Sequence, residues 1–149
     1  MEGLGSILLI LILIVLVYIL AMVALRKKAD DVIHKIGKEK IIMISSSANF
    51  FGQESEGFMQ ISGNGTLVLT EGMLYFELLL PKKIIEIPLD KIERIEECRG
   101  YLGKSKGSKL LKIIYRNESN SIDSCAWLVR HRKEWINKIK QLLYDSKGK

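Results

Sequence analysis

The chain of 149 residues is long enough for one domain and a short appendage, because domains commonly contain about 100–150 residues. Its composition is 48% hydrophobic and its net charge is +6, but both are unevenly distributed. Residues 4–25 carry no charge, and all 23 Lys and Arg residues lie beyond them. Two cysteines, Cys98 and Cys125, are too few for a disulfide framework or a cysteine-ligated metal cluster, and they are typical of buried thiols in strands. The charge asymmetry indicates contact with something anionic, most simply a membrane surface.

The apolar stretch 4–25 is predicted to be a transmembrane helix. As a helix it is about 33 Å long, enough to cross a hydrocarbon core of about 30 Å. A buried core helix seldom runs this long without a polar face. A cleaved secretory signal is the more serious alternative, but residues 1–3 contain no Lys or Arg, and the apolar run exceeds the usual length of about 7–15 residues. We therefore predict that residues 1–25 form a tail and an uncleaved signal-anchor.

Three basic residues, Arg26, Lys27 and Lys28, follow the apolar stretch directly. Basic residues beside a span stay on the cytoplasmic side, so we predict a single-pass protein of the cell membrane with its N-terminus outside and its C-terminal domain in the cytoplasm. The same three residues can contact anionic headgroups, each contributing about 1 kcal/mol, although stopping transfer is a sufficient role for them. Residues 26–39 are predicted to form a basic juxtamembrane stalk, with a helix end near Gly37.

Residues 40–149 are predicted to form one domain of strands and a final helix. Apolar residues alternate in short runs from Lys40 onward, which indicates strands. The runs are residues 40–44, 58–61, 66–70, 73–80, 84–89, 95–98, 110–115 and 122–129. Residues 58–61 continue the strand structure that begins at 40–44 and need not be a separate strand, so the runs give six or seven strands. Turns are predicted at residues 62–65 and 71–72. The final helix is amphipathic, with an apolar stripe of Trp135, Ile136, Ile139, Leu142 and Leu143 that we expect to pack on the sheet.

Residues 65–76 read GTLVLTEGMLYF, residues 87–92 read IPLDKI, and Trp135 follows in the closing helix. The motifs G-x-L-x-L-T, L-x-F and I-P-L-x-x-I, in this order before a Trp-containing helix, resemble the GRAM and bacterial pleckstrin-homology-like families. The resemblance covers roughly residues 40–145. It implies an α+β fold: a strongly bent sheet or partly open barrel of about seven strands, capped at one end by the C-terminal helix.

The resemblance implies binding of phosphoinositides or of proteins, although some members of these families have no identified ligand, and the fold alone does not decide between them. Lipid-binding pleckstrin-homology domains usually have a basic cluster between their first two strands, whereas residues 53–65 here contain Glu54 and Glu56 and no basic residue. Inositol phosphate is therefore not expected at the usual position.

A second, basic loop at residues 99–109 is the candidate contact for anionic lipid or a partner. Its glycines allow backbone N–H groups to approach a phosphate, and a solvated, mobile loop is the alternative interpretation. Its candidate contact residues are Arg99, Lys104, Lys106 and Lys109.

No catalytic, cofactor or metal site is predicted. Residues 100–105 read GYLGKS, but a phosphate-binding P-loop needs four residues between its glycines and then a helix. The two histidines, His34 and His131, lie far apart in the chain, so a histidine metal site has no support. The basic residues lack interleaved aromatic residues, which argues against nucleic-acid binding.

Two functional hypotheses remain. The tethered domain recruits an unknown protein partner through a strand edge or a groove beside the final helix, or its basic loop binds anionic lipid or a phosphoinositide-type headgroup.

Overall fold

The computed structural model describes residues 2–148, which form two α-helices and seven β-strands. The elements are α1 Glu2–Ile36, β1 Met43–Gln53, β2 Gly63–Leu69, β3 Met73–Leu78, β4 Ile84–Pro88, β5 Ile92–Cys98, β6 Leu110–Arg116, β7 Ile122–Leu128 and α2 Arg132–Lys147. Short 3-10 turns at Lys38–Lys40, Glu54–Glu56 and Leu89–Lys91 join some of them. This order confirms the predicted class, an N-terminal helix followed by a strand-rich α+β domain with a closing helix.

The strands form one antiparallel sheet in the order β4-β3-β2-β1-β7-β6-β5. The central strand β1 is the longest, and its register shifts between Ser45 and Ala48 and again between Phe50 and Gly52. Such irregularities bend a strand and increase its twist. The sheet therefore curls, so that strands from both of its halves contribute to one core while the outer edges of β4 and β5 stay unpaired.

Aromatic side chains fill the centre of the core, where Phe50 lies 5.2 Å from Phe76 and 5.7 Å from Trp127, measured between ring centroids. Helix α2 closes the core with Trp135 and Ile139, which are 2% and 0% exposed. The rest of the predicted stripe, Ile136, Leu142 and Leu143, packs against the same cluster. The amphipathic interpretation of this helix is confirmed, because an apolar stripe at helical spacing can be buried only against another layer.

The strand register defines two ends of the barrel. Gly65 pairs with Leu78 and Arg116 with Ile122, so the β1–β2 connection (residues 54–62), the β3–β4 connection (79–83) and the β6–β7 turn (117–121) share one end. This is called the open end. The β2–β3 turn, the 3-10 turn Leu89–Lys91 and α2 lie at the other, closed end, where α2 contacts that 3-10 turn.

Several predicted boundaries were wrong. Strand β1 extends from Met43 through Gln53, well beyond the predicted run 40–44, and residues 58–61 are not a strand. The predicted turn at 62–65 is the start of β2. There Gly65 is required by close packing: an added Cβ would lie 2.3 Å from the Glu77 carbonyl oxygen and 2.6 Å from the Phe76 ring.

Candidate interaction surfaces

The C-terminal third of α1 packs on the outer face of the sheet. Val32 is 1% exposed and contacts Val68 of β2 and Tyr75 of β3, which are also buried. Helix α1 runs without interruption to Ile36 and ends at Gly37, whose φ of +90° favours glycine. The helix end near Gly37 is confirmed, but the predicted stalk is not freely solvated, because the domain buries one side of it.

Charged and polar side chains fix this contact. Lys28 Nζ lies 2.9 Å from Glu77 Oε1, and Lys35 Nζ donates to Tyr75 Oη at 2.9 Å. The Tyr75 hydroxyl donates in turn to Glu77 Oε2 at 2.6 Å. Burial opposes ionisation of Glu77, but the hydrogen bonds from Tyr75 and Lys28 and the charges of both lysines outweigh it, so the pKa of Glu77 is lowered.

The order of these contacts gives the direction of the helix. Lys28 meets Glu77 near the end of β3, whereas Lys35, further along α1, meets Tyr75 closer to its start. Helix α1 therefore runs opposite to β3, and its N-terminal part leaves the domain on the side of the open end.

The N-terminal part of α1 is long and apolar enough to cross a membrane. None of its most apolar window is buried in the domain, and its large apolar side chains between Leu4 and Val23 are 37% to 80% exposed. It is therefore not a core helix. Of the three juxtamembrane basic residues, Arg26 and Lys27 are exposed, whereas Lys28 is held by Glu77. Headgroup contact by these residues stays a prediction.

A buried carboxylate anchors the open end. Asp123 of β7 is 1% exposed and accepts hydrogen bonds from Gln53 Nε2 at 2.7 Å and from the Ser55 hydroxyl at 2.7 Å. Burial opposes its ionisation, but these bonds and backbone N–H groups of Ser55 and Ser124 lower the pKa of Asp123. The network ties the start of the β1–β2 connection to β7.

The β1–β2 connection is closed by Gln60. Its side-chain oxygen accepts from the Gln53 backbone N–H at 2.6 Å, and its amide nitrogen donates to the Gln53 and Gly57 carbonyls. The residues between these clamps, Phe58 and Met59, point into solvent and are 70% and 100% exposed. Ile61 and Leu80 are also exposed at this end, and these four residues are called the apolar rim. Sequence periodicity assigned residues 58–61 and 80 to strands and so gave no signal for the rim.

The basic loop 99–109 is less free than predicted, because Tyr101 is 7% exposed and donates from its hydroxyl to the Ser124 carbonyl at 2.7 Å. The interpretation of the whole segment as an exposed loop was therefore wrong at Tyr101. This anchor folds the loop back over the outer face of the sheet, where Lys104 Nζ donates to the Gln60 carbonyl at 3.3 Å.

The four predicted contact residues of that loop do not form one cluster. Lys109 lies 3.0 Å from Glu97 of β5, while Lys104 reaches the open end, and Arg99 and Lys106 are exposed between them. Their contact with lipid or a partner stays a prediction.

A groove of about 300 Å³ lies between the unpaired edge of β5 and helix α2 at the closed end. Its lining residues are Ile95, Glu97, Lys133, Ile136, Asn137 and Lys140. Hydrogen bonds from Arg132 and Lys109 lower the pKa of Glu97 to about 2, so this carboxylate is already engaged. The exposed cations Lys133 and Lys140 therefore give the groove a positive charge towards anything that binds in it.

A larger cleft of about 520 Å³ lies beside the other unpaired edge, β4, next to the β6–β7 turn. Strand β4 is poorly suited to pair with another strand, because Pro88 lacks a backbone N–H. The β5 edge has no proline and is the better template for pairing with another strand.

Within residues 2–148, no group of three or more His, Cys, Asp and Glu side chains could hold a metal ion. Burial raises the pKa of the Cys125 thiol, which disfavours a nucleophilic role.

The curled sheet and its capping helix are those of a pleckstrin-homology-like domain. The chain is similar to the Vps36 N-terminal PH domain, with 14% identity over 74% of this chain and 83% of that chain and a TM-score of 0.51. It is also similar to the C-terminal domain of an unknown protein from Leishmania infantum (12% identity, 75% and 91% covered, TM-score 0.52). A third similar structure is a chain of the 8S snRNP assembly intermediate (8% identity, 71% and 80% covered, TM-score 0.50).

No family model matches the sequence, and no curated protein matches it. At these identities the similarity shows the fold alone, and it confirms the pleckstrin-homology-like prediction. The narrower GRAM assignment stays a prediction.

Proposed function

We propose that this chain is a single-pass membrane protein whose pleckstrin-homology-like domain recruits a protein partner at the cytoplasmic face, without catalysis. The observation that carries the proposal is the continuity of α1. One helix runs from an exposed apolar segment onto the outer face of the sheet, where Lys28 and Lys35 bind the Glu77–Tyr75 pair. A membrane that holds the apolar segment would therefore also fix the orientation of the domain.

The exposure of the apolar segment supports a span. Apolar surface left in water costs about 25 cal/mol per Å², and the large side chains between Leu4 and Val23 are at least 37% exposed. Hydrocarbon removes that cost. Cleavage near residue 25 would leave Lys28 within the first turn of a shortened helix, where backbone N–H groups lack intrahelical partners. The docked end of α1 is therefore better explained by an uncleaved anchor.

The groove between β5 and α2 is the best candidate for the partner. It lies at the closed end, so in a bilayer-spanning arrangement it would face the cytoplasm and not the membrane. An extended segment could pair with the free edge of β5 and direct side chains towards α2. Lys133 and Lys140 lie two helical turns apart on one side of the groove, which favours a segment with acidic side chains.

Topology is tested by tagging each terminus of the full chain and treating sealed inside-out vesicles with protease. The proposal requires a protected N-terminal tag and an accessible C-terminal tag, as the basic residues after the span predict. Two accessible tags would show that the chain does not span, and the reverse pattern would place the domain outside.

Recruitment is tested with a photo-crosslinking amino acid at Ile95 in the full chain in cells. The crosslinked segment is identified by mass spectrometry, synthesised, and bound to the purified protein. We expect Lys133→Glu with Lys140→Glu to abolish both the crosslink and the binding, while Lys38→Glu, an exposed lysine at the other side of the domain, changes neither. Binding that is equal in all variants would refute the groove as the site.

Lipid binding by the basic loop is the second candidate, favoured by the contact of Lys104 with Gln60 at the open end. Reconstituted full-length protein is tested for clustering of anionic lipid, with Lys104→Glu and Lys106→Glu as the variants. If both variants cluster anionic lipid as well as the unmodified protein does, the loop does not bind lipid.

A further inference from the structure

We propose that α1 pairs side by side with α1 of a second copy of this chain, through the face that it turns away from the sheet. The inference rests on the proposed span, because two copies inserted in the same topology can meet only in parallel. It assigns a partner to a surface that the recruitment groove does not include.

Leucine follows one line along the apolar part of α1. Five apolar residues recur at alternating spacings of four and three residues, namely Leu9, Leu13, Leu16, Leu20 and Val23. In a heptad abcdefg this is the d-a-d-a-d series, the spacing at which two helices pack along a shared seam. The series alone would be weak evidence in so apolar a segment. Two further observations, on shape and on charge, concern the same face.

The same face of the helix is concave. A hollow of about 310 Å³ is lined by Leu9, Ile10, Ile12, Leu13 and Leu16. These residues occupy positions a and d and the flanking positions e and g. In a parallel helix pair, each a or d side chain enters a hole that four residues of the facing helix form. Because lipid tails are as apolar as leucine, helices in a bilayer associate through such packing and not through burial of apolar surface.

The domain lies on the opposite face of α1. Ala29 and Val32, which are 7% and 1% exposed, are heptad positions c and f. Lys28, which binds Glu77, is position b. Positions b, c and f point away from the partner in a two-helix pair. The two domains would therefore lie on the outer sides of the pair, and neither would cover the seam.

Opposite charges flank the continuation of the seam beyond the apolar segment. Arg26 is position g and Asp31 is position e of the next heptad, and both are exposed. Within residues 2–148, neither side chain has an ion-pair partner. In a parallel pair, a g residue lies beside the e residue five positions further along the partner helix, and the charges at these positions set partner choice and orientation. A two-fold pair would form the Arg26–Asp31 contact twice, so this charge complementarity selects a second copy of the chain.

The seam itself is polar outside the apolar segment. Lys27 and His34 are a positions, Asp30 is a d position, and all three are exposed. A lysine at an a position specifies register and oligomeric state at a cost in stability. Charged groups at these positions keep contact with water most easily between only two helices, so we infer a pair and not a larger bundle.

The seam is tested with single cysteines in the full-length chain, in a Cys98→Ser background. Cys125 is 0% exposed and does not compete. Val23→Cys, at position d, is compared with its neighbour Met22→Cys, at position c, in vesicles of phosphatidylcholine with phosphatidylglycerol at a low protein-to-lipid ratio. Copper phenanthroline, which enters membranes, oxidises cysteines that meet. Two adjacent residues lie at nearly the same depth, so access of the oxidant is matched.

We expect disulfide-linked dimers with Val23→Cys and monomers with Met22→Cys. Deeper in the bilayer, Leu16→Cys at position d should crosslink and Val15→Cys at position c should not. Equal crosslinking at neighbouring positions would mean that the helices only collide at random, and it would refute the seam.

The charges are tested by energy transfer between donor and acceptor fluorophores on the C-termini of full-length chains in the same vesicles. Asp31→Arg should lower the association constant about 2- to 30-fold, as expected for two exposed ion pairs. Arg26→Asp added to Asp31→Arg should restore it, because the pair is then exchanged. Glu71→Arg makes the same charge change at an exposed turn of the closed end and should have no effect.

The outcomes separate the pair from the span. Equal energy transfer in all variants would overturn the proposed register, and a transfer that does not rise linearly with the acceptor fraction would overturn a pair in favour of a larger assembly. If the N-terminal tag is protected and the C-terminal tag accessible but no d position crosslinks, the pair is wrong and the span stands. If both tags are accessible, the span fails and the pair fails with it.

Discussion

The ion pair between Lys28 and Glu77 should determine how firmly α1 is held on the sheet. Their side chains are 19% and 7% exposed, so solvent screens the pair less than a surface pair, for which about 0–1 kcal/mol is typical. A hydrogen bond to a charged group contributes about 1.5–3 kcal/mol. Glu77→Gln keeps an acceptor for Tyr75 but removes the charge that Lys28 binds. We expect a loss of about 2 kcal/mol, or roughly 30-fold in the docking equilibrium.

A double-mutant cycle of Lys28→Met and Glu77→Gln measures this coupling. Urea unfolding in detergent micelles is followed by the fluorescence of Trp127 and Trp135, which are both buried. The double variant should lose less than the sum of the single variants, and Lys27→Met, at an exposed neighbour, should lose almost nothing. Strictly additive losses would refute the reasoning, since they would mean that the pair contributes no interaction energy.

The same carboxylate makes docking depend on pH. The pKa of Glu77 is lower in the folded protein than in the unfolded chain, where it is about 4.3. Its contribution is therefore fully present above the unfolded pKa and is lost as the pH falls through the folded pKa. The Lys28–Glu77 coupling energy should decrease in that acid range.

Three further predictions concern the domain itself. Gly65→Ala should lower the free energy of unfolding by about 1–3 kcal/mol through overpacking, because the new Cβ would lie 2.3 Å from a backbone oxygen. Gly72→Ala is the control: nothing lies within 4 Å of its Cβ, so stability should change by less than about 0.5 kcal/mol. The urea unfolding midpoints of both variants test this prediction. Phe76→Ala should cost about 3–5 kcal/mol in the same assay, since Phe76 is 0% exposed, whereas Phe58→Ala should be nearly neutral. Asp123→Asn should lower the melting temperature at neutral pH and flatten its decline in acid, because the lowered pKa of Asp123 contributes stability that is lost as the pH falls through it.

The spacing of apolar residues along the sequence predicted most of the helices and strands. The stripe beginning at Trp135 predicted α2, and alternation predicted most strands, because a single face of each element is buried in the core. In the predicted run 84–89, Ile85 and Ile87 alternate inward and Pro88 ends β4. Those patterns involve residues close together in the sequence, so they can be recognised without knowledge of the tertiary structure.

The docking of α1 depends on residues distant in sequence and could not be predicted in this way. Tyr75 and Glu77 share the face of β3 opposite to the core, a face that alternation alone assigns to solvent. Both are buried because α1 covers them, and a separation of 40 residues lies between Lys35 and Tyr75. The clamp of Gln60 and the anchor of Asp123 were missed for the same reason, since neither residue has a distinctive sequence neighbourhood.

The docking of α1 on the sheet determines which surface of the domain could face a bilayer, whereas a flexible tether would not. A flexible tether would raise the local concentration of the domain near the membrane but leave every surface free to meet it. Here Lys28 and Val32 fix the domain to the helix, so a bilayer around the apolar segment would meet only the open end. The groove residues Ile95 and Glu97 lie three and five residues beyond Ile92, the end of β5 nearest the open end. In an extended strand this is about 10–17 Å, which would hold the β5–α2 groove roughly that far from the headgroups. In the proposed topology, a partner that binds there would therefore extend from the cytoplasm or lie close to the membrane.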